Sequence, residues 1–232
     1  MLMKHIPNSI TLTNLIFGIL GIIFLFQKQY EWVPVCMIAA LIADFADGMI
    51  ARALKITSPL GKQLDSLADN VTFGVLPALM WYHVLQQLLY VLAGSKGIQI
   101  YLLPFYLQGI PYLALVFAVC ACLRLAKFNI DERQSNFFIG IPTPAAAIFT
   151  LGIFMTPMFK IPIYLVLLIL FAISILMVVE LPILSFKMKD KKPIVGVVIA
   201  SIIALFVLKW LGLCVAILLL VMASIIFRKK IA

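Results

Sequence analysis

The chain has 232 residues, 65% of them hydrophobic, with a mean hydropathy of +1.17 and a formal net charge of +9. A water-soluble domain of this size has no interior large enough to hide that much apolar surface, so soluble enzymes and soluble binding modules are excluded. The composition predicts an all-α, polytopic membrane protein.

Apolar runs of roughly the 17–25 residues needed to span a bilayer fall at 9–26, 33–54, 64–92, 102–125, 140–157, 161–182, 194–209 and 211–227. They predict about eight transmembrane helices, the last two short. The first run is preceded by the polar Pro7-Asn8-Ser9 and is not followed by a cleavage site, which speaks against a cleavable signal peptide. Along it Asn8, Thr11 and Asn14 recur every three residues, putting polar groups on one face of an apolar helix. Capping and interhelical hydrogen bonding account for that face as well as a pocket-lining role does.

Between the second and third runs lies DFADGMIARALKITSPLGKQLDSLAD, residues 44–69. It holds four of the nine acidic residues of the chain, Asp44, Asp47, Asp65 and Asp69. A carboxylate near the middle of a membrane helix costs roughly 2.5–3.5 kcal/mol, so each one points to function. On helices, Asp44, Asp47, Gly48, Ala51 and Arg52 form one stripe, and Gly61, Asp65 and Asp69 form another. A turn at Thr57-Ser58-Pro59 would aim both stripes at a common centre, and the Ser58 hydroxyl suits a phosphate oxygen. An all-oxygen ligand set selects a hard divalent cation, Mg²⁺ or Mn²⁺, rather than zinc. Gly48 and Ala51 leave room for a bulky group against the backbone. Ion pairs with Arg52, Lys55 and Lys62 are the plainer explanation of the aspartates, but they would not call for glycine and alanine at fixed intervals.

The pattern D-x-x-D-G-x-x-A-R-(8)-G-x-x-x-D-x-x-x-D, with all eight fixed positions filled, resembles the signature of the CDP-alcohol phosphotransferase family. SLADNVTFGVLPA, RLAKFN and FFIGIPTPAAA are similar to one subgroup, the bacterial type II phosphatidylserine synthases. The resemblance implies a six-helix phosphotransferase core over residues 1–186, followed by a basic loop and a helix pair over 187–232. It implies CDP-diacylglycerol and L-serine as substrates, with two divalent ions held by Asp44, Asp47, Asp65 and Asp69. Asp69 would also take the proton of the attacking hydroxyl. Asn8, Thr11, Gly48, Ala51, Arg52, Ser58 and Gly61 are the expected contacts of CDP-diacylglycerol. Asn70, Thr72, Arg124, Lys127 and Asn129 are the expected contacts of serine, although Arg124 and Lys127 also suit plain headgroup anchors. Two other readings stand beside this one: glycerol 3-phosphate or inositol phosphate as acceptor, and a cation transporter using the aspartates as an ion site.

The remaining landmarks are quieter. Pro77 is expected to bend the third helix. Cys36, Cys120, Cys122 and Cys214 lie in apolar runs without metal-type spacing, His5 and His83 are isolated, and Glu180 reads as a snorkelling or paired charge. The last two helices read as packing elements, with dimer contact as one use, and a homodimer is the expected assembly.

Charge orients the chain. With a cytoplasmic N-terminus, 14 of the 18 basic residues face the cytoplasm, and only Lys28, Lys96, Lys160 and Lys209 face outside. The basic excess therefore answers to anionic membrane lipids rather than nucleic acid, and the acidic cluster falls at the cytoplasmic side of the cell (inner) membrane. Single cysteines introduced as Leu60→Cys and Lys189→Cys should react with an impermeant maleimide only after permeabilisation, and Lys96→Cys should react in intact cells. Labelling at position 60 in intact cells would reverse the topology.

Overall fold

A computed structural model describes residues 6–54, 58–95, 104–130, 138–157, 161–183 and 192–226. The expected turn residue Thr57, the polar stretch 96–100, Phe137 and the basic stretch 184–191 lie outside the described residues. The described chain is almost wholly helical, as the composition demands of a membrane protein, where every backbone polar group must be paired internally. Four helical stretches are long and apolar enough to cross a membrane: Ile6–Phe26, Trp32–Ala53, Pro59–Gly94 and Ile110–Ile130. Four shorter apolar helices follow.

The chain divides into two compact units, Met1–Pro77 and Ala78–Ala232. In the first, α1 (Ile6–Phe26) and α2 (Trp32–Ala53) form a hairpin, and α3 (Pro59–Asp69) packs on α1. The inner face of α1 is the stripe Pro7, Thr11, Asn14, Gly18, Gly21 and Leu25, all buried, at the alternating four- and three-residue spacing of a helix seam. Apolar side chains such as Ile16 and Ile23 point outward. Small residues let backbones approach where no hydrophobic effect drives helix association. A Cβ on Gly18 would overlap Thr72 Oγ1, and one on Gly21 would lie 2.8 Å from Leu76 Cδ2.

Helix α3 begins at Pro59, five residues before the apolar run at 64–92 and two before Gly61, the first residue of the expected helical stripe. Ser58 is its N-cap, with Oγ accepting from the Gly61 amide at 2.9 Å, and Pro59 fills the first turn, where no amide partner is needed. The disturbance expected at Pro77 takes a specific form. Asn70–Val75 is a π-helical turn, and the Leu76 amide bonds back to the Val71 carbonyl. Pro77 has no amide to give the Phe73 carbonyl, and its ring would crowd that carbonyl in a regular helix, so the turn before it widens. Helix α4 (Leu76–Ser95) then continues.

The second unit is built around α7 (Thr143–Phe154), whose 12 residues are shorter than the expected 140–157. Gly140 at φ 74 and Pro142 delay its start, and Gly140 suits its place because a Cβ would lie 2.6 Å from the Met177 carbonyl. Before it come a short α5 (Phe105–Gln108), a 3₁₀ turn at Ile110–Ala114 and α6 (Leu115–Ile130). The sixth run forms α8 (Ile163–Val178), and Phe138–Ile139 (β1) pairs antiparallel with Pro182–Ile183 (β2). Within the core, Trp81 donates from Nε1 to Thr150 Oγ1 at 2.9 Å. Helices α9 (Lys192–Leu208) and α10 (Trp210–Ile226) part at Lys209, which has φ 52. Helix α10 joins the core through Cys214, Ile217 and Val221 and lies so close to α7 that a Cβ on Gly152 would meet the Trp210 carbonyl at 2.8 Å.

The α1 contact gives a direct test. Gly18→Ala should force α1 away from the π-helical turn and lower stability by about 1–3 kcal/mol, the usual cost of overpacking. The exposed neighbour Ile19 should accept Leu without loss. Thermal unfolding in detergent reads both, and equal melting points would show that the two helices are not in close contact.

Candidate active site

The second half of α2 carries Asp44 and Asp47 one turn apart, and α3 brings Asp65 to meet them. One carboxylate oxygen from each of the three lies within 4.8 Å of the others. Asp47 is buried, and Asp44 and Asp65 are half-buried. This is the convergence that the two stripes predict. Three carboxylates crowded in an apolar surrounding repel one another, and no histidine or cysteine belongs to the group. The donor set fits a hard divalent cation, which would offset that repulsion.

Asp69 lies one turn beyond Asp65, is 8% exposed, and accepts a hydrogen bond from Asn14 Nδ2 at 3.0 Å through its Oδ1. Helix α1 braces α2 in the same way, since the Thr11 hydroxyl lies within reach of both the Asp47 carboxylate and the Pro7 carbonyl. Thr11 and Asn14 thus each hold one carboxylate, on two different helices. The three-residue polar spacing in α1 announced the face, as capping or pocket lining, but not that Asn14 meets Asp69.

Beside the carboxylates is a cavity of about 580 Å³, within the usual range for a small-molecule site. Asp47 and Asp65 contribute its acidic wall, Gly48, Ala51 and Gly61 its small residues, and Asn8, Thr11, Ser58 and Lys62 its polar rim. Arg52 folds back along α2, so that a Cβ on Gly48 would lie 3.4 Å from Nη1. Gly61 is equally constrained, because a Cβ there would lie 3.0 Å from both Asn8 Oδ1 and Ser58 Oγ. All seven residues expected to meet CDP-diacylglycerol thus stand on α1, α2 or the start of α3, and six of them line this cavity; Arg52 is the seventh.

The residues expected to meet serine are distributed differently. Asn70 and Thr72 occupy the π-helical turn, where Thr72 is fully buried and donates to the Asn14 carbonyl at 3.3 Å. Arg124, Lys127 and Asn129 belong to α6 in the second unit. Arg124 is 5% exposed, donates from Nε to the Ile141 carbonyl at 3.0 Å, and holds its guanidinium carbon 5.5 Å from the centre of the Phe128 ring. Lys127 is exposed and reaches the Val178 carbonyl at 3.4 Å. Arg124 therefore does structural work in tying α6 to the start of α7, and its Nη groups remain without a protein acceptor among the described residues.

Comparison with known proteins agrees with this geometry. The family model described as CDP-alcohol phosphatidyltransferase matches residues 4–181. The chain is 39% identical over 144 residues to the CDP-diacylglycerol–serine O-phosphatidyltransferase of Bacillus subtilis, covering 62% of this chain and 72% of that protein. It is 34% identical over 146 residues to the Helicobacter pylori protein of the same name, covering 61% and 54%. The Methanocaldococcus jannaschii protein of that name is 30% identical over 147 residues, covering 63% and 59%. The chain thus spans between half and three fifths of the length of the latter two relatives. The family match runs through every helix that carries a candidate site residue, and the chain belongs to the CDP-alcohol phosphatidyltransferase family.

Proposed function

We propose that this protein transfers the phosphatidyl group of CDP-diacylglycerol to the hydroxyl of L-serine, forming phosphatidylserine and releasing CMP. The observation that carries the proposal is the meeting of Asp44, Asp47 and Asp65 beside a cavity floored by Gly48 and Ala51. The relatives, each named for transfer to serine, support the choice of acceptor.

Each residue has a task that its position supports. Asp44, Asp47 and Asp65, with Asp69, would hold divalent ions, Mg²⁺ or Mn²⁺, which when bound neutralise the diphosphate and the departing CMP. Gly48 and Ala51 leave their side of the cavity open to the cytidine. Arg52, lying along Gly48, pairs with phosphate. Ser58 uses a lone pair on the Gly61 amide, so its own proton remains to donate to a phosphate oxygen. Asp69 takes the proton of the serine hydroxyl as the new O–P bond forms and the bond to CMP breaks. A carboxylate is a weak base for an alcohol, so proton transfer accompanies attack rather than preceding it. The resemblance gives Arg124 to the serine carboxylate, and its fork, held through Nε with the Nη groups lacking an acceptor among the described residues, supports pairing with an anionic group. Asn70 offers a further polar contact. The 14-to-4 division of basic residues supports a site at the cytoplasmic side of the inner membrane, and family resemblance supports a homodimer.

In membranes containing the protein, CMP release from CDP-diacylglycerol should rise on adding serine, and phosphatidylserine should accumulate. Asp69→Asn should cut turnover by about 10²–10⁴-fold, the usual worth of a general base, while labelled CDP-diacylglycerol still binds. Consumption of glycerol 3-phosphate with serine ignored would overturn the acceptor. Near-normal turnover in Asp69→Asn would place the base elsewhere.

A further inference from the structure

Asn14 is fully buried on α1, and its amide is used at one end only. Nδ2 donates to Asp69 Oδ1 at 3.0 Å. Turning the amide over would set its oxygen against the carboxylate, so the polarity of the contact is fixed by chemistry. The other end, Oδ1, is buried with no hydrogen-bond partner among the described residues. A buried acceptor without a donor destabilises a fold, and an apolar side chain of the same branching, such as leucine, would bring no such acceptor. Packing therefore does not explain an asparagine here.

The backbone at this point is also held. The Asn14 carbonyl accepts from Thr72 Oγ1, and one turn on, the absence of a side chain at Gly18 lets α1 lie directly against Thr72. Helix α1 cannot slide along the π-helical turn without breaking that contact. The amide is thus presented to Asp69 from a fixed support, at the residue where α3 gives way to the widened turn.

We propose that Asn14 is the positioning residue of Asp69. By occupying Oδ1 from α1, it fixes the carboxylate rotamer and leaves Oδ2 as the oxygen that receives the proton of the acceptor hydroxyl. The proposal rests on the role given to Asp69 above. Thr11 holds Asp47 in a parallel way, but only the Asn14 contact acts on the proton acceptor.

The test uses the full-length protein in detergent micelles with CDP-diacylglycerol, and reads kcat, KM and melting temperature for Asn14→Leu. The rate is measured with whichever alcohol supports CMP release by the wild type, so a failure of serine as acceptor shows in the wild type alone and leaves the comparison intact. Asn14→Leu should lose about 10-fold or more in kcat, with KM for CDP-diacylglycerol within about threefold of wild type, in protein that melts earlier, because buried Asp69 loses a donor, but is still folded at the assay temperature. A second variant, Asn14→Asp combined with Asp69→Asn, keeps an amide–carboxylate hydrogen bond but exchanges its ends. It should melt as the wild type does and turn over at no more than about a hundredth of its rate. Wild-type kcat in Asn14→Leu would overturn the proposal. So would a loss of rate accompanied by an equal loss of folded protein, or recovery of turnover in the exchanged pair.

Discussion

A carboxylate buried in an apolar helix bundle costs several kcal/mol unless something answers it, and this chain places four on two successive helices. Much of the first unit follows from that burden. Helix α1 supplies a hydroxyl to Asp47 and an amide to Asp69 from a single polar stripe. Gly18 and Gly21 on the same stripe bring α1 close enough to the π-helical turn and Leu76 for those short side chains to reach. The remaining carboxylates, Asp44 and Asp65, converge with Asp47 in a group that suits a cation. The same arrangement that makes the bundle costly makes it able to hold a doubly charged ion beside a cavity.

Function divides unevenly between the two units. Every signature residue belongs to the first, and the second contributes a tightly buried α7 flanked by α8 and α10, with α6 fixed to the start of α7 by Arg124. Arg124 serves the fold through Nε and Phe128 while its outer nitrogens have no acceptor among the described residues, so an anchoring role and a binding role are compatible in one side chain. A cation transporter would need its carboxylates served from a route through the membrane. Here the family match, and the small residues that open a cavity beside the carboxylates, favour phosphoryl transfer instead.

The helices and the acidic cluster were legible because both rest on periodicity. Spacings of three and four residues put Asp44, Asp47 and Asp65 on facing stripes before any coordinates. The apolar run starts later than α3 because Gly61, Lys62 and Gln63 depress local hydropathy, whereas the stripe from Gly61 comes within two residues of the true start, which Ser58 as cap followed by Pro59 marks. The short α7 was overestimated because apolar composition does not reveal where Gly140 must adopt positive φ to pass the end of α8. The widened turn at Asn70–Val75 was half visible in Pro77. Its position depends on packing against α1, which no local pattern contains. The partner of Asn14 was hidden for the same reason, since periodicity tells which face a polar residue occupies and not what meets it.

The central claim is that the carboxylates of α2 and α3 form a divalent-cation site. Titration of Mn²⁺ into the purified protein, followed by electron paramagnetic resonance, tests it without any substrate. The free Mn²⁺ signal should fall saturably with wild-type protein, should return when excess Mg²⁺ competes for the site, and should fall far less with Asp44→Asn, Asp47→Asn or Asp65→Asn in protein of unchanged melting temperature. An undiminished Mn²⁺ signal with wild-type protein, or unchanged binding in all three variants, would contradict the account.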